Sequence, residues 1–244
     1  MKTNFTYESY RELIEAFLER GYRVCGFEEA VPGARHLIVR HDIDMSLKLA
    51  EPIAKIEADL GISGVYFVMV RSDFYNPLSK ASRRSLEKIQ SYGHEIGLHF
   101  DAACHSVAVE SLDACADEEC RILELVTGKP IRVISFHRPI SEFQGLVSPL
   151  AGRRHAYEPP FFTEMGYCSD SRGAWHYGHP LEQEAVLQGR AMQLLTHPIW
   201  WTENLIDGPL PKLECFLGER RQLLEAELAD NCEPYRAVFE DRED

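Results

Sequence analysis

The sequence has no run of 18 apolar residues, so nothing in it reads as a membrane-spanning helix. Its first stretch, MKTNFTYESYRELIEAFLERGY, lacks the apolar core of a secretory leader, and a cytoplasmic location is the expectation. No two cysteines have the Cys-x-x-Cys spacing of a zinc or redox site. The seven present, at positions 25, 104, 115, 120, 168, 215 and 232, are odd in number and read as reduced thiols packed as small hydrophobes. Positive charge is scarce: 26 Lys and Arg stand against 39 Asp and Glu, a net charge of -13. Such a surface repels nucleic acid and anionic membranes, and it disfavours a polyanionic substrate unless the site is locally basic. The expected partner is a small molecule or a glycan, with no nucleic acid and no membrane insertion. No break in composition marks a domain boundary, so one domain over residues 1–244 is expected.

What is present is a chain of 244 residues, the usual size of a single (β/α) barrel. Hydrophobic residues make up 45% and charged residues 27%, as in a globular chain. Helical and strand patterns alternate along it. Helices are predicted over 7–20, 46–60, 81–92, 106–127 and 212–229, and strands over 36–40, 63–70, 94–100, 131–136, 166–170 and 192–197. Gly21, Gly61, Gly93 and Gly128 close the helices. Residues 137–165, with four prolines, read as a loop with some short helix. Repeated strand–helix units imply parallel strands under covering helices. The fold expected is an α/β distorted (β/α) barrel of about seven parallel strands.

The polar residues gather where the strands end. HLIVR is followed by His41, Asp42 and Asp44, EIGL by His99 and Asp101, and VISF by His137 and Arg138. GYCS is followed by Asp170 and Arg172, and QLLT by His197. In a (β/α) barrel these ends converge on one face, which is where active sites form. Aspartate and neutral histidine suit a divalent transition metal. Such a metal activates water and polarises a carbonyl, while amide hydrolysis also needs a base and an acid.

HDID (41–44), GHEIGLHFD (93–101), SFHRP (135–139), SDSRG (169–173) and LLTHPIWW (194–201) occur in the order of the five motifs of polysaccharide deacetylases. Over about residues 37–201 the chain therefore resembles that superfamily, carbohydrate esterases related to chitooligosaccharide deacetylase. The resemblance implies Asp42 as general base and Asp44 and His99 as metal ligands. It implies that Arg138 steadies the base and that Asp170 orients the acid His197. The chain departs from the family pattern twice. HDID stands where many members have Thr-Phe-Asp-Asp-Gly, and Ala103 stands where the second motif has its second histidine. A catalytic zinc usually has three protein ligands. His137 directly follows a core strand and is the expected replacement, ahead of His105 or Asp101.

His94 is five strand residues from His99, roughly 16 Å at about 3.3 Å per residue, and cannot share its metal. Asp101 either supports the metal site or caps the following turn. Trp175, Trp200 and Trp201 all follow motif strands and are candidates to stack on a sugar ring or simply to pack. Arg172 is a candidate for an anionic part of the substrate, and Arg153 and Arg154 read as solvated surface. The function implied is a metal-dependent hydrolase, zinc the expected metal, that removes an acyl group, N-acetyl first, from an intracellular sugar or glycan precursor. The alternatives are hydrolysis of another linear or cyclic amide on the same scaffold, or a catalytically silent carbohydrate-binding protein.

Overall fold

The computed structural model describes residues 4–105, 111–138 and 148–240. The chain divides into two compact units, Met1–Leu205 and Ile206–Asp244. The first holds eight strands: β1 (Arg23–Val24), β2 (His36–Ile43), β3 (Val65–Val68), β4 (Glu95–Phe100), β5 (Val133–Phe136), β6 (Arg154–His155), β7 (Gly166–Ser169) and β8 (Met192–Thr196). Seven of them run in the order β6-β5-β4-β3-β2-β8-β7, and β1 joins the start of β2. Every pairing is parallel. This is the distorted (β/α) barrel of about seven strands that the alternation predicts. Among the described residues β6 and β7 are not paired to each other, so the curled sheet is open there.

The helices of this unit are α1 (Tyr7–Glu19), α2 (Ala50–Asp59), α3 (Lys80–Ser91), α4 (Leu112–Thr127) and the single turns α5 (Pro159–Phe162) and α6 (Glu184–Leu187). Thr6 opens α1 with a reciprocal capping box to Ser9, and Ser79 caps α3 through the amide of Ser82. Gly128 closes α4 in the left-handed conformation, φ 67°. Helix α2 starts four residues later than the periodicity suggests. Pro52 allows this start, because a proline fits in a first turn but would clash with the carbonyl four residues back inside a longer helix. The helix predicted over 106–127 begins at Leu112 in the described part, and 106–110 lie outside the described residues. The loop predicted over 137–165 contains β6 and α5, and its residues 139–147 also lie outside. In the second unit α7 (Pro209–Asn231) covers the predicted 212–229, and α8 (Glu233–Glu240) follows it unforeseen. No described helix is long and apolar enough to cross a membrane.

Strand β2 is buried almost throughout, as a parallel strand covered on both faces must be. Alternate side chains leave it on opposite faces. His41 points to the helix-covered face, where its Nε2 lies 2.7 Å from Glu57 Oε1 of α2 and its Nδ1 2.7 Å from Thr196 Oγ1. Glu57 also accepts from the hydroxyls of Tyr10 on α1 and Tyr66 on β3. His94 accepts from the Gly64 amide through Nδ1 and donates to the Ala54 carbonyl through Nε2. Burial holds its pKa down, in keeping with a neutral ring. A fully buried network thus ties α1 and α2 to the sheet. Gly97 serves the same sheet differently: a Cβ there would sit 2.6 Å from the Phe67 ring and 2.9 Å from the Val133 carbonyl, so only glycine fits β4 between its neighbours.

Candidate metal centre and active site

Three strand ends bring ligand atoms together. Asp44 follows β2, His99 lies in β4 and His137 follows β5. His99 Nε2 is 3.0 Å from Asp44 Oδ1, His137 Nδ1 is 3.3 Å from the same oxygen, and the two nitrogens are 3.3 Å apart. Ligand atoms about 2.0–2.1 Å from a tetrahedral zinc stand about 3.3–3.4 Å from one another, so the triangle has the right size. These three residues form the one group of this kind among the described residues.

The hydrogen bonds behind the triangle favour the ligand tautomer of His99. Ser135 Oγ donates to Asp42 Oδ1 at 3.3 Å and is therefore free to accept from His99 Nδ1 at 2.6 Å. That leaves the lone pair of His99 on Nε2, facing Asp44 and His137. On the far side of His137, its Nε2 faces Asp101 Oδ2 at 3.9 Å, while the other Asp101 oxygen caps the Ala103 amide. Burial opposes the charge of Asp44, but the His137 and His99 rings beside it, with the charge of His197, hold its pKa far below the usual carboxylate range.

Asp42 sits beside the triangle, its Oδ2 3.8 Å from His99 Nε2. The guanidinium that holds it is Arg40, through Nε to Oδ1 at 2.9 Å and Nη2 to Oδ2 at 2.7 Å. Arg40 is itself fully buried between the Phe67 and Tyr157 rings and also donates to Gln193 Oε1. Burial works to raise the Asp42 pKa, but the charge and hydrogen bonds of Arg40, with the nearby His99 and His197, together hold it below the usual value, so the carboxylate stays ionised. Arg138, to which the resemblance gave this role, is exposed at the mouth of the site. Arg40 was legible in principle. A charged residue inside an apolar strand, two before Asp42, shares a face with it.

His197 follows β8 with its Nδ1 2.6 Å from Asp170 Oδ1, and its Nε2 3.9 Å from Asp44 Oδ2. Burial lowers the His197 pKa, but the bond and charge of Asp170 prevail and raise it to about 9. Asp170 is fully buried and also accepts from the His197 amide and from the indole N–H of Trp201 at 2.8 Å. Trp201 is therefore not a sugar platform: it has no exposed surface and serves to fix Asp170. Trp175 packs on Phe5 and Trp201 and does not line the cleft. Trp200 does line it.

The cleft holds about 500 Å³ and brings Asp42, Asp44, His99, His137 and His197 to one floor. Phe136, Tyr157, Phe162, Tyr167 and Trp200 form aromatic walls, with Arg138 and Arg172 at the same opening. His105 is engaged elsewhere, 2.8 Å from Glu119 and stacked on Phe100, which removes it as the third ligand. Arg153 and Arg154 are not free surface charges: the first pairs with Asp117 and Glu124, the second with Glu158 and the Phe161 face.

No protein-family model matches the chain, and no curated protein is significantly similar to it. Among solved structures it is similar to the Streptococcus pyogenes deacetylase PplD in complex with acetate, with a TM-score of 0.45 and 9% identity over 80% of this chain and 84% of that one. It is similar to IcaB from Ammonifex degensii, with a TM-score of 0.44 and 13% identity over 65% and 81%. It is also similar to a family 4 carbohydrate esterase from Bacillus anthracis, with a TM-score of 0.42 and 14% identity over 87% and 86%.

Proposed function

We propose that this chain is a metal-dependent amide hydrolase that removes an acyl group, N-acetyl first, from a sugar. The observation that carries the reading is the Asp44–His99–His137 triangle, flanked within 4 Å by an ionised Asp42 and by the His197–Asp170 pair. Asp44 Oδ1, His99 Nε2 and His137 Nδ1 would hold a divalent ion, zinc by the donor set. When bound, such an ion would supply Lewis acidity to a carbonyl oxygen and lower the pKa of a water. Asp42, kept charged by Arg40, accepts the proton of the attacking water. His197, kept protonated at neutral pH by Asp170, returns a proton to the leaving amine. Trp200 and the other aromatic walls offer ring faces to a sugar, and Arg172 stands at the rim. A silent binder would need neither an acid nor a base. The finer reading is a sugar or glycan precursor inside the cell as substrate. The test is zinc reconstitution followed by a panel of N-acetylated sugars, formyl amides and cyclic amides. Zinc-dependent acetate release from the sugars is expected. Ring-opening or formate release instead would move the reading to another amide, and sugar binding without turnover would leave a binding protein.

A further inference from the structure

Two arginines at the cleft opening have no counter-charge among the described residues. Arg138 and Arg172 both line it, both are exposed, and neither makes a hydrogen bond or ion pair among the described residues. Among the described residues the carboxylates lining the cleft are Asp42 and Asp44. Asp42 is matched by Arg40 beneath it, and Asp44 belongs to the ligand triangle. Elsewhere arginines find acids readily: Arg71 meets Glu119, Arg153 meets Asp117 and Arg221 meets Glu225. In a chain of net charge -13, a cleft whose free charges among the described residues are two guanidiniums is locally basic against its own background. Such inversion focuses anions toward the site.

The backbone adds a second observation. Arg138 has φ 50° and Arg172 φ 59°, left-handed values that residues with a Cβ rarely adopt. Strained conformations of this kind concentrate at ligand clamps. Each arginine is also tied to the centre: Arg138 follows the ligand His137, and Arg172 is two residues past Asp170. Their backbones are therefore placed by the same strand ends that place His137 and Asp170.

We infer that the substrate is an acylamino sugar bearing a second, anionic group, a phosphate or a carboxylate, which Arg138 and Arg172 bind at the cleft mouth. The planar guanidinium fork pairs two oxygens of such a group at once. The inference rests on the acyl-sugar reading of the site, and its test is kept separate from turnover. The probes are N-acetylglucosamine, its 1-phosphate, an N-acetyl hexosamine carrying a carboxylate, and inorganic phosphate, titrated calorimetrically into metal-free protein. One or both anionic sugars should bind at least about tenfold more tightly than the neutral one, and their ranking distinguishes phosphate from carboxylate. Arg172→Ala and Arg138→Ala should each reduce that preference about tenfold or more, and the double variant should abolish it. Arg172→Lys should recover only part, since it restores the charge without the fork. Equal affinity for neutral and anionic sugars, or variants that keep the preference, would overturn the inference. Absence of acetate release from every probe after zinc loading would instead overturn the hydrolase reading alone.

Discussion

Two polar clusters lie on opposite faces of the same strand, one residue apart in sequence. His41 feeds the helix-side cluster of Glu57, Tyr10, Tyr66 and His94, while Asp42 feeds the cleft-side cluster of Asp44, His99, His137 and His197. Both are rich in histidine and carboxylate and both are largely buried. They differ in how their valences close. Around Glu57 the donors meet acceptors, from the tyrosine hydroxyls to the Gly64 amide. Around Asp44 two imidazole nitrogens and a carboxylate oxygen point at one another, and the Ser135 hydroxyl behind His99 favours a lone pair on its Nε2. A closed network stabilises the fold; converging lone pairs ask for a cation. Counting histidines would not separate the two clusters, but following the protons does.

Breaking the open cluster should change chemistry and leave the fold. Asp44→Asn removes a ligand, so zinc affinity should fall by more than the roughly 10–100-fold that an outer partner costs, with turnover lost alongside. Metal analysis after dialysis against a weak chelator checks this. Asp42→Asn should keep zinc and lose about 10²–10⁴ in turnover, the usual share of a general base. Equal metal loss in the two variants would show that their roles are not distinct. Breaking the closed cluster should do the reverse. Glu57→Ala leaves His41 and two tyrosine hydroxyls without their acceptor, and each buried donor left unpaired costs about 1–3 kcal/mol. Chemical denaturation should show that loss, while zinc stoichiometry in the folded fraction stays at the parental value.

Between these lies Ser135, which touches no metal. Ser135→Ala removes the acceptor of His99 Nδ1, and with it the preference for a lone pair on Nε2. Zinc affinity should fall about 10–100-fold with little change in melting temperature. A parental affinity would mean that Asp44 and His137 alone settle the tautomer.

The strand ends that build the cleft were legible because each motif residue follows an apolar strand, and a parallel sheet sends all such ends to one side. His137 could be picked for the triangle on that ground, since Ala103 offers no ligand atom. The partners that tune the cluster were less visible. Arg40 hides within HLIVR, and its contact with Asp42 depends on a strand continuing through Ile43 rather than ending at residue 40. Trp201 was read by residue type as a sugar platform. Its burial and its bond to Asp170 depend on Phe5 and Tyr10 packing against it from the other end of this unit's sequence. Sequence periodicity reports which face a residue takes, and long-range packing decides whether that face meets solvent.

The finest difference between the clusters is in proton affinity. His94 is pushed down by burial, whereas His197, only partly exposed itself, is raised to about 9 because Asp170, with Asp44 and Asp42, outweighs its burial. In metal-free protein the His197–Asp170 pair therefore contributes stability that is complete below about pH 6.5, the unfolded value of histidine, and is lost as pH rises through about 9. Asp170→Asn removes the charge. Its single side-chain oxygen must also choose between His197 and the Trp201 indole, so an amide N–H then faces one of the two donors. The His197 titration, followed by NMR of the metal-free protein, should move from near 9 toward or below 6.5. The alkaline decline in stability should flatten with it. A His197 that still titrates near 9 in Asp170→Asn would locate the source of its proton affinity in Asp44 and Asp42 instead, the next charges in order of influence. The division of labour between the metal triangle and the acid would then have to be redrawn.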